Sequence, residues 1–188
     1  MGMPARQVEW TAEMARALPE DGRRYEVLDG ELFVSPAPSL RHQSVLARLY
    51  NRITPYVEEN RLGWTRWSPA DIEFSPHRLL QPDLFVIADT GTGEPETWHD
   101  VKELLLVVEA LSPSTEAADR TVKRPIYQTQ DIPECWIVDV DEEIVERWRP
   151  ADLVPEIARD VLVWQPDRAI APLEIVLMEI FAPGGRRR

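Results

Sequence analysis

Apolar positions recur along this chain with two periods, and each period predicts a kind of element. Val8 to Leu18 reads as a short helix, with Met14 and Leu18 four residues apart. Pro19 to Arg24 is a turn-rich stop. Tyr25-Glu26-Val27-Leu28 and Glu31-Leu32-Phe33-Val34 flank Asp29-Gly30. Asp-Gly between apolar-rich runs predicts a hairpin, because a type I′ turn needs positive φ at both central residues. Pro36 and Pro38 end it. Ser39 is placed to cap a long helix reaching about Asn60. Its inner stripe is Leu46, Leu49, Ile53 and Val57, at helical spacing. Pro55 should kink it near its end.

Two short strands are predicted near residues 64–67 and 70–74, ahead of the apolar run Leu84-Phe85-Val86-Ile87. A Gly-, Thr- and Glu-rich loop over 89–100 leads to a second apolar run, Leu104-Leu105-Leu106-Val107-Val108. A helix follows from about Thr115 to Gln130, strained at Pro125, and then the strand Cys135 to Asp139. Strand, helix and strand of this length predict a right-handed parallel crossover. Residues 143–181 read mostly as strand and turn, clearest at Ile144 to Trp148 and Asp160 to Gln165. No repeat or linker divides the chain, so 188 residues with 44% hydrophobic content predict one domain with a sizeable core. Within it, 1–22 reads as a helical arm, 23–150 as the core and 151–188 as a β-rich extension.

Charge changes the picture of partners. The net charge of −12 argues against indiscriminate adhesion to nucleic acid, which basic surface drives. The charge is uneven, however. Residues 39–68 carry five Arg against Glu58 and Glu59, a net of +3. Residues 69–119 carry eleven acids against Arg78 and Lys102, a net of −9. Arg41, Arg48 and Arg52 share a face of the long helix that is either solvated or meets phosphate. The Arg186-Arg187-Arg188 ending is either a solvated tail or a contact. No run approaches the ~18 apolar residues of a membrane span, and no signal-peptide apolar region opens the chain. The lone Cys135, beside Trp136, reads as a buried inert thiol. These features predict a cytoplasmic protein without a membrane partner.

Candidate chemistry centres on Asp83, Glu109 and Lys123. Asp83 stands at the mouth of one apolar run, Glu109 ends the other, and Lys123 follows fourteen residues later on a predicted helix. Two carboxylates on neighbouring buried strands with an amine above them can hold a hard metal ion and attack a phosphodiester. Oxygen-only ligands suit Mg²⁺ or Mn²⁺ rather than zinc. The alternative is that each carboxylate caps a turn and that Lys123 pairs with Asp119 on a solvated helix. Only two lysines stand against nineteen arginines. That makes each lysine informative, because its compact ammonium differs from the guanidinium fork. No Gly-rich phosphate loop or nucleophile elbow is present.

The stretches Tyr25 to Glu31, Ser39 to His42, Gln81 to Leu84, Val108 to Thr115, Asp119 to Tyr127 and Ile132 to Asp139 carry a resemblance in their order. The chain resembles the PD-(D/E)XK, restriction-endonuclease-like nuclease superfamily, and within it a bacterial group described as putative restriction endonucleases. The likeness covers about residues 24–150, with Val108-Glu-Ala-Leu-Ser-Pro-Ser-Thr115 its strongest element. It implies an α/β fold: a central mixed β-sheet flanked by helices, with an extra N-terminal helix and hairpin and a β-rich C-terminal segment.

By the same resemblance, Asp83 and Glu109 are the metal-binding acids and the Ala110 carbonyl completes the protein ligands. The superfamily lysine normally stands two residues beyond the second acid, where this chain has Leu111. Lys123 takes its role, orienting water and stabilising phosphate charge. Glu31 is either an outer ligand or structural. His42 either donates to phosphate or bonds within the fold. Tyr127, on the face of Lys123, is either a core aromatic or a catalytic phenol. The implied activity is metal-dependent endonucleolytic hydrolysis of nucleic acid, most simply DNA, by a possible homodimer. The alternatives are an inactive nuclease-fold binding module and a hydrolase of a smaller phosphoester.

Overall fold

The computed structural model describes residues 8–182. The chain runs through α1 (Ala12–Arg16), β1 (Arg24–Leu28), β2 (Glu31–Ser35), α2 (Leu40–Glu59), β3 (Gly63–Trp67), β4 (Ile72–Ser75), β5 (Arg78–Leu80) and β6 (Leu84–Ala88). After a 3₁₀ turn at Trp98–Asp100 come β7 (Leu104–Ala110), α3 (Glu116–Ala118), a π-helical turn at Asp119–Lys123, and α4 (Arg124–Thr129). The remainder is β8 (Glu134–Asp139), β9 (Ile144–Trp148), β10 (Glu156–Ala158), β11 (Val161–Trp164), β12 (Leu173–Val176) and α5 (Leu177–Phe181).

A six-stranded sheet in the order β10-β9-β8-β7-β6-β3 forms the centre. Only β7 and β8 run parallel, joined by the predicted helical crossover, so the sheet is mixed. Alternating residues of its strands face two apolar layers. Leu84, Val86, Leu106, Val108, Trp136 and Val138 pack under α2, α5 and the β11-β12 hairpin. Phe85, Val107, Cys135 and Ile137 pack on the other side against Ile126 and Tyr127 of α4 and against Leu28, Ile72 and Leu80. The last three belong to a second sheet, β2-β1-β5-β4.

Local signals explain the clearest elements. Asp29 and Gly30 adopt φ of 50° and 83°, as the hairpin turn demands. The Ser39 side chain caps α2 by accepting from His42 N at 3.2 Å. The buried stripe of α2 is His42, Val45, Leu49, Ile53 and Val57, so Val45 takes the place expected of Leu46, which is only half-buried. Gly63 is required where β3 meets β6, since a Cβ there would lie 1.9 Å from the Ile87 carbonyl oxygen.

Other expectations change. The N-terminal helix spans Ala12–Arg16 rather than 8–18, and it buries Ala12 and Ala15 while Met14 stays exposed. Strand β4 belongs to the second sheet, through β5, which the sequence did not reveal. The predicted single helix at 115–130 is broken by the π-helical turn, just upstream of Pro125, which has no N–H to donate. The C-terminal segment is β-rich as expected but ends in α5, docked on α2. Among the described residues no helix is long and apolar enough to cross a membrane. The Arg186–Arg188 ending lies outside the described residues.

Candidate active site

Strand register brings the two acids together. Leu84 pairs with Val108 across the antiparallel β6-β7 ladder, so one residue further on Asp83 stands across from Glu109. Both are buried. Asp83 Oδ2 accepts from the Ala110 backbone N–H at 2.9 Å and lies 2.9 Å from His42 Nε2. Asp83 Oδ1 accepts from an Arg24 guanidinium nitrogen at 2.5 Å. Glu109 Oε1 accepts from the Tyr127 hydroxyl at 2.6 Å.

The widened turn at Asp119–Lys123 directs the Lys123 amine inward, where it is buried. Its Nζ lies 2.9 Å from Glu26 Oε2, 3.1 Å from Asp119 Oδ1 and 3.6 Å from Glu109 Oε1. Glu26 is fixed from its other oxygen by the Gln81 backbone N–H at 2.8 Å. The Lys123–Asp119 pair therefore exists, but inside the protein rather than on a solvated helix.

Asp83, Glu109, Ala110, Lys123 and His42 thus come together. Glu31 does not. It is exposed at the turn end of the hairpin, paired in register with Leu28, and the strand places Glu26 at the cluster instead. The α2 arginines do not join it either. Arg41 pairs with Asp141 and Glu143, Arg48 donates to the Ile180 carbonyl and Arg52 pairs with Glu179. Their charges are met by the β8-β9 turn and by α5, while Arg41 and Arg52 stay about half exposed.

Sequence reasoning passed over Glu26 and Arg24. A signal existed for Glu26, which shares a strand face with buried Leu28. Asp119 and Tyr127 were already in view, from their spacing of four on either side of Lys123. Nothing in the sequence marked Arg24.

The electrostatics split the two strand acids. Burial pushes Asp83 up, but the His42 hydrogen bond and the charges of His42, Arg24 and Lys123 outweigh it and hold the carboxyl well below the usual carboxylate range. Burial raises Glu109 well above its ordinary value; Lys123 opposes this in part, and Asp119, Asp83 and Glu26 reinforce it. Burial also raises Asp119 against the pull of Lys123. For Lys123 burial acts downward, yet Glu109, Glu26, Asp119 and Asp83 carry the amine well above its ordinary range. Burial and the charge of Glu109 raise Tyr127 likewise. The surroundings push the two acids in opposite directions, Asp83 down and Glu109 up, the separation that distinct roles require.

Four carboxylates, of Glu26, Asp83, Glu109 and Asp119, share this space with the cations of Arg24 and Lys123. Were Glu109 and Asp119 to ionise, the four carboxylates would outnumber these two cations, and a divalent cation would offset the excess. Among the described residues no three Asp, Glu, His or Cys side chains form a ready-made cage. Mg²⁺ needs none, since it accepts one or two carboxylates and keeps several waters. The oxygen donors of Asp83 and Glu109, next to the Ala110 backbone, fit such an ion once Arg24 yields its place on Asp83.

A family model described as "Uma2: Putative restriction endonuclease" matches residues 12–176. The chain belongs to the Uma2 family. Its fold is restriction-endonuclease-like. Among solved structures, a putative nuclease belonging to DUF820 from Anabaena variabilis matches with a TM-score of 0.74 at 17% identity, covering 92% of this chain and 97% of that one. No curated protein matches. Against this Uma2 background the buried acid–lysine cluster is the structural feature with most chemistry.

Proposed function

We propose that this Uma2 protein is a metal-dependent endonuclease that hydrolyses nucleic-acid phosphodiester bonds, with Asp83, Glu109 and Lys123 as its catalytic set. The observation that carries the reading is the meeting of Asp83, Glu109 and the Lys123 amine at one end of the central sheet. Mg²⁺ or Mn²⁺ is the cofactor, held by Asp83, Glu109 and the Ala110 carbonyl. When bound, such a cation polarises the phosphate and lowers the pKa of water.

The chain's own residues supply the rest. Lys123, fixed between Glu26 and Asp119, offers a positive charge that needs no reorganisation as charge develops on phosphate. Tyr127 holds the Glu109 carboxyl in one orientation by its hydroxyl. His42 and the Ala110 N–H fix Asp83. Burial of the set excludes bulk water, which strengthens each of these interactions. The products would carry a 5′-phosphate, DNA is the substrate of choice, and a homodimer would let two sites cut two strands.

A second reading follows from Arg24. Its guanidinium occupies Asp83 Oδ1, and a module that bound nucleic acid without cutting it would keep that contact permanently. Thermal unfolding with Mg²⁺, Mn²⁺ or Ca²⁺, on wild type and Asp83→Ala, separates the two. The endonuclease reading expects a metal-dependent rise in melting temperature that Asp83→Ala loses. Nucleic-acid binding with no metal response and no cleavage in Mn²⁺ would favour the module.

A further inference from the structure

We infer that the cleft in front of Asp83 binds an unpaired nucleobase stacked on Trp67, so that the site takes single-stranded or locally unpaired nucleic acid in preference to intact duplex. The inference rests on the phosphodiesterase reading of the same site and names its substrate class. The cleft measures about 980 Å³ and lies between the α1-β1 segment and the first half of α2. That is the scale of pockets enclosing small organic groups, ~300–1,000 Å³.

Its lining includes the apolar Leu18, Pro19, Pro38, Leu46, Ala47 and Pro69. Polar and charged side chains line it too, among them Arg16, Arg24, His42, Asp71, Gln81 and Asp83. Among the described residues, four buried atoms of side chains that line the cleft have no hydrogen-bond partner: Arg24 Nε, His42 Nδ1, Ser68 Oγ and Gln81 Oε1. A flat heteroaromatic guest suits a lining that mixes apolar and polar side chains.

Trp67 supplies the stacking face. It pairs in register with Leu84, directly beside Asp83, and the next residue, Ser68, donates its N–H to the Asp83 carbonyl at 3.1 Å. Trp67 is 55% exposed and lines the cleft, although Tyr50 packs edge-on against it with ring centroids 4.8 Å apart. A large aromatic left open yet held in orientation is the platform on which unpaired bases stack, whatever their identity.

The charge distribution points the same way. Duplex affinity depends on cations free to neutralise phosphates. Here Arg16 is paired with Asp71 and Glu73, Arg24 with Asp83, and Arg41 and Arg52 with acids of their own. Stacking gives affinity where phosphate neutralisation is weak.

Fluorescence anisotropy in EDTA, with short labelled strands, tests the inference on the full chain without turnover. Single-stranded DNA and RNA are compared with the blunt duplex of the same sequence and with a strand abasic throughout. At least one single strand should bind about tenfold or more tightly than duplex, and the stronger of the two names the sugar. Trp67→Ala should weaken binding of that strand about tenfold and leave the abasic strand unchanged, while Trp67→Phe keeps most of the affinity. Duplex binding equal to or tighter than both single strands would overturn the inference, as would a folded Trp67→Ala variant with unchanged affinity. If wild type fails to cleave with Mn²⁺ while the single-strand preference holds, the endonuclease reading fails and the base pocket stands. If wild type cleaves duplex and not single strands, the reverse holds.

Discussion

At the scale of the residue, Glu109 is a carboxyl that burial works against. A carboxyl raised well above its ordinary value by burial binds a proton more readily folded than unfolded. Its penalty is absent below the unfolded pKa and grows as pH rises toward the folded one. Glu109→Gln removes that penalty and keeps an acceptor for Tyr127. In urea unfolding without metal, the variant should exceed wild type in stability at pH 8, with a smaller gain at pH 5. Stability gained where activity is lost marks a functional carboxylate. The sequence showed Asp83 and Glu109 because one opens and the other ends an apolar run. It hid Glu26 because a hairpin strand near a Gly-turn drew attention to the turn residue Glu31. It hid Arg24 because a pairing 59 residues apart leaves no local trace.

At the scale of the element, periodicity was legible wherever packing obeys it. The stripe of α2, the Asp-Gly hairpin and the parallel β7-β8 pair all follow from spacing. What periodicity does not carry is pairing between distant short segments. Strand β5 has three residues and exists through its ladders to β1 and β4, and α5 exists through its burial on α2. The broken helix at 116–129 is tied to the sheet by Arg120, which pairs with Asp139 at 2.8 Å and Glu146 at 2.9 Å. Asp139 also accepts the N–H groups of Asp141 and Glu142. Burial opposes these contacts, but together they hold its carboxyl below the ordinary value. A depressed carboxyl contributes stability above its unfolded pKa and loses it as pH falls through the folded one. Asp139→Asn should therefore cost about 1–3 kcal/mol at pH 7, read by denaturant melts, and the difference should close in strong acid.

At the scale of the whole molecule, an acidic protein is read as a nuclease. The net charge of −12, with most site-side arginines already paired, predicts that few phosphates are neutralised on binding. Single-strand affinity should fall with log salt at a slope no steeper than about −2, measured by anisotropy across salt concentrations. The fold class and family were legible because motif order survives where pairwise identity to a solved relative is 17%. The cleft was not, because it is assembled from the arm, the hairpin, α2 and β3 at once. The central claim is that Asp83 and Glu109 act together on phosphate. Its most direct measurement is the single-turnover cleavage rate with Mn²⁺ on single-stranded and duplex substrates, for wild type, Asp83→Asn and Glu109→Gln, each shown to be folded. The account predicts cleavage by wild type and a loss of at least about a thousandfold in each variant. Turnover that persists in either variant, or a folded, metal-bound wild type that cuts nothing, would contradict it.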